Sequence, residues 1–155
     1  MRKYLLHILI ISFVFLLAPT AQIASYAGEL EDAKEEVRKN PDDAGAHNNL
    51  GLAYHDSGMH KEEIESFKQA IRIDPDLVDA HYNLGVAYRE SGKYKEAIPS
   101  FKQSIKLNPD LADAHYELGL VYVLSNDRNS ALEQYKILKN LDSEVANELF
   151  DLIYK

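Results

Sequence analysis

Three histidines, His47, His81 and His115, recur at intervals of 34 residues. Imidazole is a common metal ligand and the usual proton carrier near neutral pH, so a fixed histidine spacing first suggests metal or acid–base chemistry. The interval argues against it. A period of 34 residues places equivalent side chains on successive structural units, and packed helix axes stand about 8–10 Å apart. Zinc holds each nitrogen ligand at about 2 Å. One ion does not bridge such positions, so these histidines are expected to pack and no metal site is expected. His55 and His60 flank a turn and are expected to be solvated. The 25 acidic residues spread over helix faces and turns, whereas a working carboxylate pair needs a shared apolar cleft to shift its pKa values. There is no nucleophile elbow, no glycine-rich phosphate loop and no His-Glu-x-x-His. A non-catalytic protein without cofactor is expected.

The chain has 155 residues and no cysteine, which removes disulfides, thiol catalysis, cysteine-bound zinc and lipid attachment at a cysteine. Its formal net charge is −8. Two of the 17 basic residues, Arg2 and Lys3, precede an apolar run at 4–18. Beyond residue 27 the balance is 15 basic against 25 acidic, a net of −10. That disfavours nucleic acid, whose phosphates require Lys and Arg, and equally an anionic membrane surface. Neutral to basic protein partners remain open.

The elements that must position any site follow from hydrophobic spacing. Residues 44–77 and 78–111 match at 20 of 34 positions, and 78–111 and 112–145 at 11 of 34. In the second copy Ala80, Leu84, Ala87 and Tyr88 form one helical stripe, Gly92 closes it, and Ala97, Ile98, Phe101 and Ile105 form a second. Pro109 within Asn108-Pro109-Asp110 breaks the pattern. The spacing predicts helices at 29–39, 44–57, 60–73, 78–91, 94–107, 112–125, 128–141 and 144–154. A period in this range signals stacked helical hairpins, each burying its face on the next.

The three copies read His47-Leu50-Gly51-Tyr54-Phe67-Pro75, His81-Leu84-Gly85-Tyr88-Ala97-Phe101-Pro109 and His115-Leu118-Gly119-Tyr122-Ala131-Tyr135. This pattern resembles the tetratricopeptide repeat (TPR) family. The resemblance implies an all-α, right-handed solenoid of stacked antiparallel helix pairs. Its expected organisation is a cap helix at 28–43, repeats at 44–77, 78–111 and 112–145, and a C-terminal cap at 144–155. Gly51, Gly85 and Gly119 are expected at close helix approaches opposite small residues such as Ala97 and Ala131. Tyr54, Tyr88, Tyr122, Phe67, Phe101 and Tyr135 are expected to fill the space between hairpins.

Four departures stand out. Glu63 replaces the alanine of repeat one, so that hairpin packs less tightly or leans its carboxylate to the rim. Asn126 replaces the turn glycine and tolerates the left-handed region. Ser143 replaces the closing proline, loosening the last connection. Pro99 deletes one helical hydrogen bond and predicts a kink.

The resemblance also implies a concave groove lined by the first helix of each repeat. The matching positions are Asn48, Leu52, His55 and Asp56; Asp79, Tyr82, Val86, Arg89 and Glu90; and Asp113, Tyr116, Leu120, Val123 and Leu124. Residues 120–124 are apolar on every face, so either the last helix or a partner covers them. Tyr82 and Tyr116 offer the amphipathic aromatic chemistry of binding hot spots, or else they shield adjacent hairpins. The carboxylate clamp of some family members is not reproduced. Its positions here are Asn48, Leu52, Asn83, Asp113 and Glu117, of which only Asn83 fits.

The first 27 residues read as a secretory leader, with small residues Ser25 and Ala27 before a cleavage point at Gly28. The alternative is an uncleaved inner-membrane anchor at 4–18. The expected protein is a non-catalytic scaffold of the bacterial envelope, periplasmic or secreted, that holds a peptide or helix of another protein. The competing expectation is a self-associating structural solenoid, driven by Leu120, Val123 and Leu124 or by loose end caps.

Overall fold

The computed structural model describes residues 26–155. The leader, its apolar run at 4–18 included, lies outside the described residues apart from Tyr26 and Ala27. Among the described residues there are eight helices and no strand. They are α1 over 26–39, α2 Ala44–Asp56, α3 His60–Ile73, α4 Val78–Glu90, α5 Tyr94–Leu107, α6 Ala112–Leu124, α7 Arg128–Leu141 and α8 Ser143–Tyr154. No described helix is long and apolar enough to cross a membrane.

Three tight hairpins, α2–α3, α4–α5 and α6–α7, stack in chain order. The turn inside each is the same for a definite reason. Gly58, Gly92 and Asn126 take positive φ of 69°, 70° and 59°. That lets the following amides, on Met59, Lys93 and Asp127, reach back to the carbonyls of Tyr54, Tyr88 and Tyr122, each at 2.8 Å. This is the Schellman closure of a helix end. Asparagine serves in the third copy because its short side chain tolerates the left-handed region.

The turns between hairpins use the recurring histidines. Nε2 of His47, His81 and His115 donates to the carbonyls of Pro41, Pro75 and Pro109, at 2.9, 2.8 and 2.9 Å. Each ring therefore staples the helix to its own preceding turn. Ser143 has the opposite effect to the loosening expected of it. Without proline there, α8 starts at once, and the Asp142 carboxylate caps it by accepting from the amides of Glu144 and Val145. Pro99, exposed on the outer face of α5, leaves that helix unbroken.

The hairpins close on aromatic rings. A Cβ on Gly51 would stand 2.4 Å from the Phe67 ring, and one on Gly85 would stand 2.7 Å from Phe101. The glycines thus leave notches that take whole rings, rather than allowing backbones to touch. Phe67 and Phe101 are 1% and 0% exposed, so truncating either would cost about 3–5 kcal/mol. The third hairpin departs from this arrangement. The Gly119 notch takes Leu149 of α8, at 2.5 Å, and Tyr135 turns away to pair with Phe150, with ring centroids 5.2 Å apart. Tyr135 therefore does not fill the inter-hairpin space as expected. Helix α8 packs on both α7 and α6, where the first helix of a fourth hairpin would lie. Arg128 pins its end by donating to the Ile153 carbonyl at 2.6 Å.

Candidate functional site

The first helices α2, α4 and α6, with α8 behind them, form one continuous line of side chains. Asn83 Nδ2 of α4 donates to Asn48 Oδ1 of α2 at 3.0 Å. Further along, His55 of α2 faces Glu90 of α4 at 3.6 Å. Arg89 of α4 reaches Glu117 of α6, with Nε 2.7 Å from Oε2. Tyr116 of α6 feels the charge of Glu148 on α8. Residues predicted for the groove thus come together across three hairpins.

Tyr82 lies half-buried with its ring edge-on to Phe101, centroids 5.9 Å apart. Burial, then the charges of Glu117 and Asp113, push its phenol up to about 12. Tyr116 is shifted upward too, again chiefly by burial, then by Glu148 and Glu117. Both rings therefore pack against the core while staying partly exposed. Glu117 shows which force wins around them. Arg89 pulls its carboxyl down, yet burial outweighs that attraction and holds it above the usual carboxylate range. The Arg89–Glu117 approach is close enough for an ion pair, but the buried Nε and Oε2 atoms make no well-directed hydrogen bond. Arg89 also contacts Glu90 at 3.2 Å. One guanidinium is thus shared by two carboxylates, with exposed Asp113 adding its charge at Tyr82 and Glu117.

The remaining predicted groove residues divide. Asn48 is 8% exposed and belongs to the inter-hairpin contact. Val86 packs against the main core. Leu52 and Leu124 are exposed, at 42% and 46%. The coverage of 120–124 is split residue by residue. Val121 and Tyr122 are buried, Val123 packs near Leu152 and Ile153 of α8, Leu120 is half-buried and Leu124 is bare.

Two expectations are corrected around Glu63. Its carboxylate does not lean to the rim, because it is 2% exposed. Nor are His55 and His60 merely solvated. His55 Nδ1 lies 3.1 Å from one Glu63 oxygen and His60 Nδ1 lies 2.9 Å from the other. The cue was present in the repeat. Where the first copy has His55, His60 and Glu63, the second has Arg89, Tyr94 and Ala97. Three departures at positions that meet across one turn point to a shared contact.

These hairpins and their shared face define the class, an all-α solenoid of stacked antiparallel helix pairs presenting a first-helix groove. The TPR repeat profile matches residues 60–90 and 86–126, so the stretch from α3 through α6 carries the repeat. No curated protein sequence matches the chain. The crystal structure of MamA is 25% identical, with a TM-score of 0.73, covering 84% of this chain and 88% of that one. A thermophilic TPR protein of Thermus thermophilus, TTC0263, is 24% identical, with a TM-score of 0.68 over 81% of this chain and 72% of that one. The first TPR of Spaghetti (RPAP3), bound to the HSP90 peptide SRMEEVD, is 21% identical, with a TM-score of 0.66 over 70% and 89%. At such identities the last two likenesses are of fold.

Proposed function

We propose that this protein is a non-catalytic scaffold whose first-helix groove holds a neutral to basic peptide segment or helix of another protein. The observation that carries the reading is the recurrence of Tyr82 and Tyr116, spaced one repeat apart, beside a carboxylate fringe whose Glu90 and Glu117 share the one guanidinium of Arg89. Tyrosine gives apolar area with a polar tip, and unneutralised carboxylates attract basic partners. The Spaghetti domain, alike in fold, is bound to a peptide, which is in keeping with a peptide ligand here. An acidic, carboxylate-terminated ligand like that one fits poorly here, because Asp113 and Glu117 stand at clamp positions.

The experiment is a paired measurement on Tyr82→Ala with Tyr116→Ala. Partner capture by crosslinking in the native cell should fall at least tenfold, while the helical circular dichroism signal persists. Undiminished capture by the folded double variant would sink the groove reading. The proposed setting is the bacterial envelope, on the strength of the leader at 1–27. Intact mass of protein from the envelope fraction should start at Gly28; a retained leader would favour the anchored form.

A second reading, self-association, draws support from one end of the solenoid. Phe150 and Tyr154 of α8, Ile137 of α7 and Leu124 of α6 are 39%, 54%, 39% and 46% exposed. These residues replace Leu120 and Val123 as the relevant apolar surface. Sizing at rising concentration separates the readings, since a persistent monomer excludes stacking through this end.

A further inference from the structure

The buried carboxylate of the first hairpin has a chemistry that peptide binding does not use. Glu63 occupies the inward position of α3, where the second and third repeats place Ala97 and Ala131, each 0% exposed. Carrying a carboxylate into such a position is costly unless it is paired or coordinates a metal. Glu63 has no lysine or arginine partner among the described ion pairs. Its two oxygens instead face two imidazoles, His55 Nδ1 at 3.1 Å and His60 Nδ1 at 2.9 Å. A second carboxylate approaches from the neighbouring hairpin, with Glu90 Oε2 3.6 Å from His55 Nδ1.

We infer that His55, His60 and Glu63 form a binding site for a divalent transition-metal ion, zinc by ligand chemistry, with Glu90 as the fourth ligand from the next hairpin. The ligand atoms of the first three lie within 4.8 Å of one another, the single such grouping of His, Asp and Glu among the described residues. A tetrahedral ion with bonds of about 2.0–2.1 Å sets its ligands about 3.3–3.4 Å apart. His55 Nδ1 lies 3.1 Å from Glu63 Oε1 and 3.6 Å from Glu90 Oε2, near that edge, while His60 Nδ1 sits 2.9 Å from the other Glu63 oxygen, so closure needs His60 and Glu90 to swing toward the shared oxygen. Two nitrogens and two carboxylate oxygens suit zinc and its late first-row neighbours, not calcium or magnesium, which prefer all-oxygen shells.

The surroundings permit small closing movements. His60 stands at the start of α3 with its side chain 57% exposed, and His55 is 39% exposed, so both rings can turn. Glu63, held in the core, is the fixed ligand. Two carboxylates would balance a divalent ion, giving Glu63 a cationic partner beyond its hydrogen bonds to the two imidazoles. Because Glu90 belongs to α4, the ion would tie the first hairpin to the second. The three recurring histidines stand apart from this site, each Nε2 being committed to a proline carbonyl.

The test uses untagged full-length protein and zinc ions alone, followed by calorimetric titration and thermal melts in metal-free and zinc-loaded buffer. One ion per chain should bind, and the melting midpoint should rise with zinc. Glu63→Ala restores the residue that the other two repeats carry there, so it should fold well; His60→Ala lies on an exposed side chain. Both variants should lose at least tenfold in zinc affinity, together with the zinc-dependent rise in midpoint, while remaining helical. Absence of one-to-one binding by the unaltered protein would overturn the site. Zinc affinity preserved in the folded Glu63→Ala variant would overturn it equally.

Discussion

Hairpins one and two share 20 of 34 residues and the same turn, yet they solve one packing problem in opposite ways. At the inward position of its second helix, hairpin two has Ala97, fully buried among apolar neighbours. Hairpin one has Glu63, just as buried, held by His55 and His60. On the groove side the contrast reverses. Hairpin two offers the half-buried ring of Tyr82, while the equivalent residue of hairpin one is Asn48, absorbed into a hydrogen bond with Asn83. A repeat can therefore keep its backbone while exchanging apolar packing for a polar cluster. The exchange needs every partner to change together, because a lone buried carboxylate has nothing to offset its desolvation.

The comparison breaks most sharply if the carboxylate is moved alone. Ala97→Glu places a buried charge in hairpin two without imidazoles, and should cost about 3–5 kcal/mol in a denaturant titration. Adding Arg89→His and Tyr94→His should recover part of that loss. No recovery would mean that the partners of Glu63 contribute nothing. Next come the notches. Gly85→Leu forces a side chain into the Phe101 ring and should destabilise by roughly 3 kcal/mol. Gly119→Leu meets the tip of Leu149 instead; its cost should be smaller, about 1–2 kcal/mol, and should appear as early fraying of α8 in hydrogen exchange. Equal effects in thermal melts would erase the distinction between the hairpins.

Smaller still is Glu63→Ala without metal, expected to change stability by no more than about 1 kcal/mol, because it removes a costly buried carboxylate and leaves His55 and His60 on partly exposed sites that water can reach. The smallest effect concerns alkali. Tyr82 has its folded pKa pushed up to about 12, so its stabilising contribution is complete below the ordinary phenol value near 10. That contribution is lost as pH rises from there through 12. Tyr82→Phe should flatten the decline in stability over that window, and an unchanged profile would place the hydroxyl in water.

Helix number, limits and phase were legible in the chain because they depend on local facts: an apolar stripe of period 3.6, glycine or asparagine where a turn needs positive φ, and proline where a helix must stop. Predicted ends lie within about a residue or two for α2 to α8. The equal phase of Tyr82 and Tyr116 was legible through the repeat, since a spacing of 34 residues puts them at equivalent positions of α4 and α6. The cluster at Glu63 showed only as three joint departures from the repeat, although its residues span only 55–63. One histidine ends a helix, the other begins the next, and the turn between them decides whether the rings meet.

Helix α8 marks the same boundary at larger scale. Its amphipathic stripe of Val145, Leu149, Leu152 and Ile153 implies a helix with one buried face, and nothing more. That Leu149 enters the Gly119 notch in place of the third copy's own aromatic, and that Tyr135 turns to Phe150 instead, depends on how four helices share volume at the end of the stack. Secondary structure here follows from neighbours in the chain, whose spacing is written in residue order. Which ring fills a notch, and which histidine reaches a carboxylate, is settled by close packing and desolvation among residues that only the folded chain brings together.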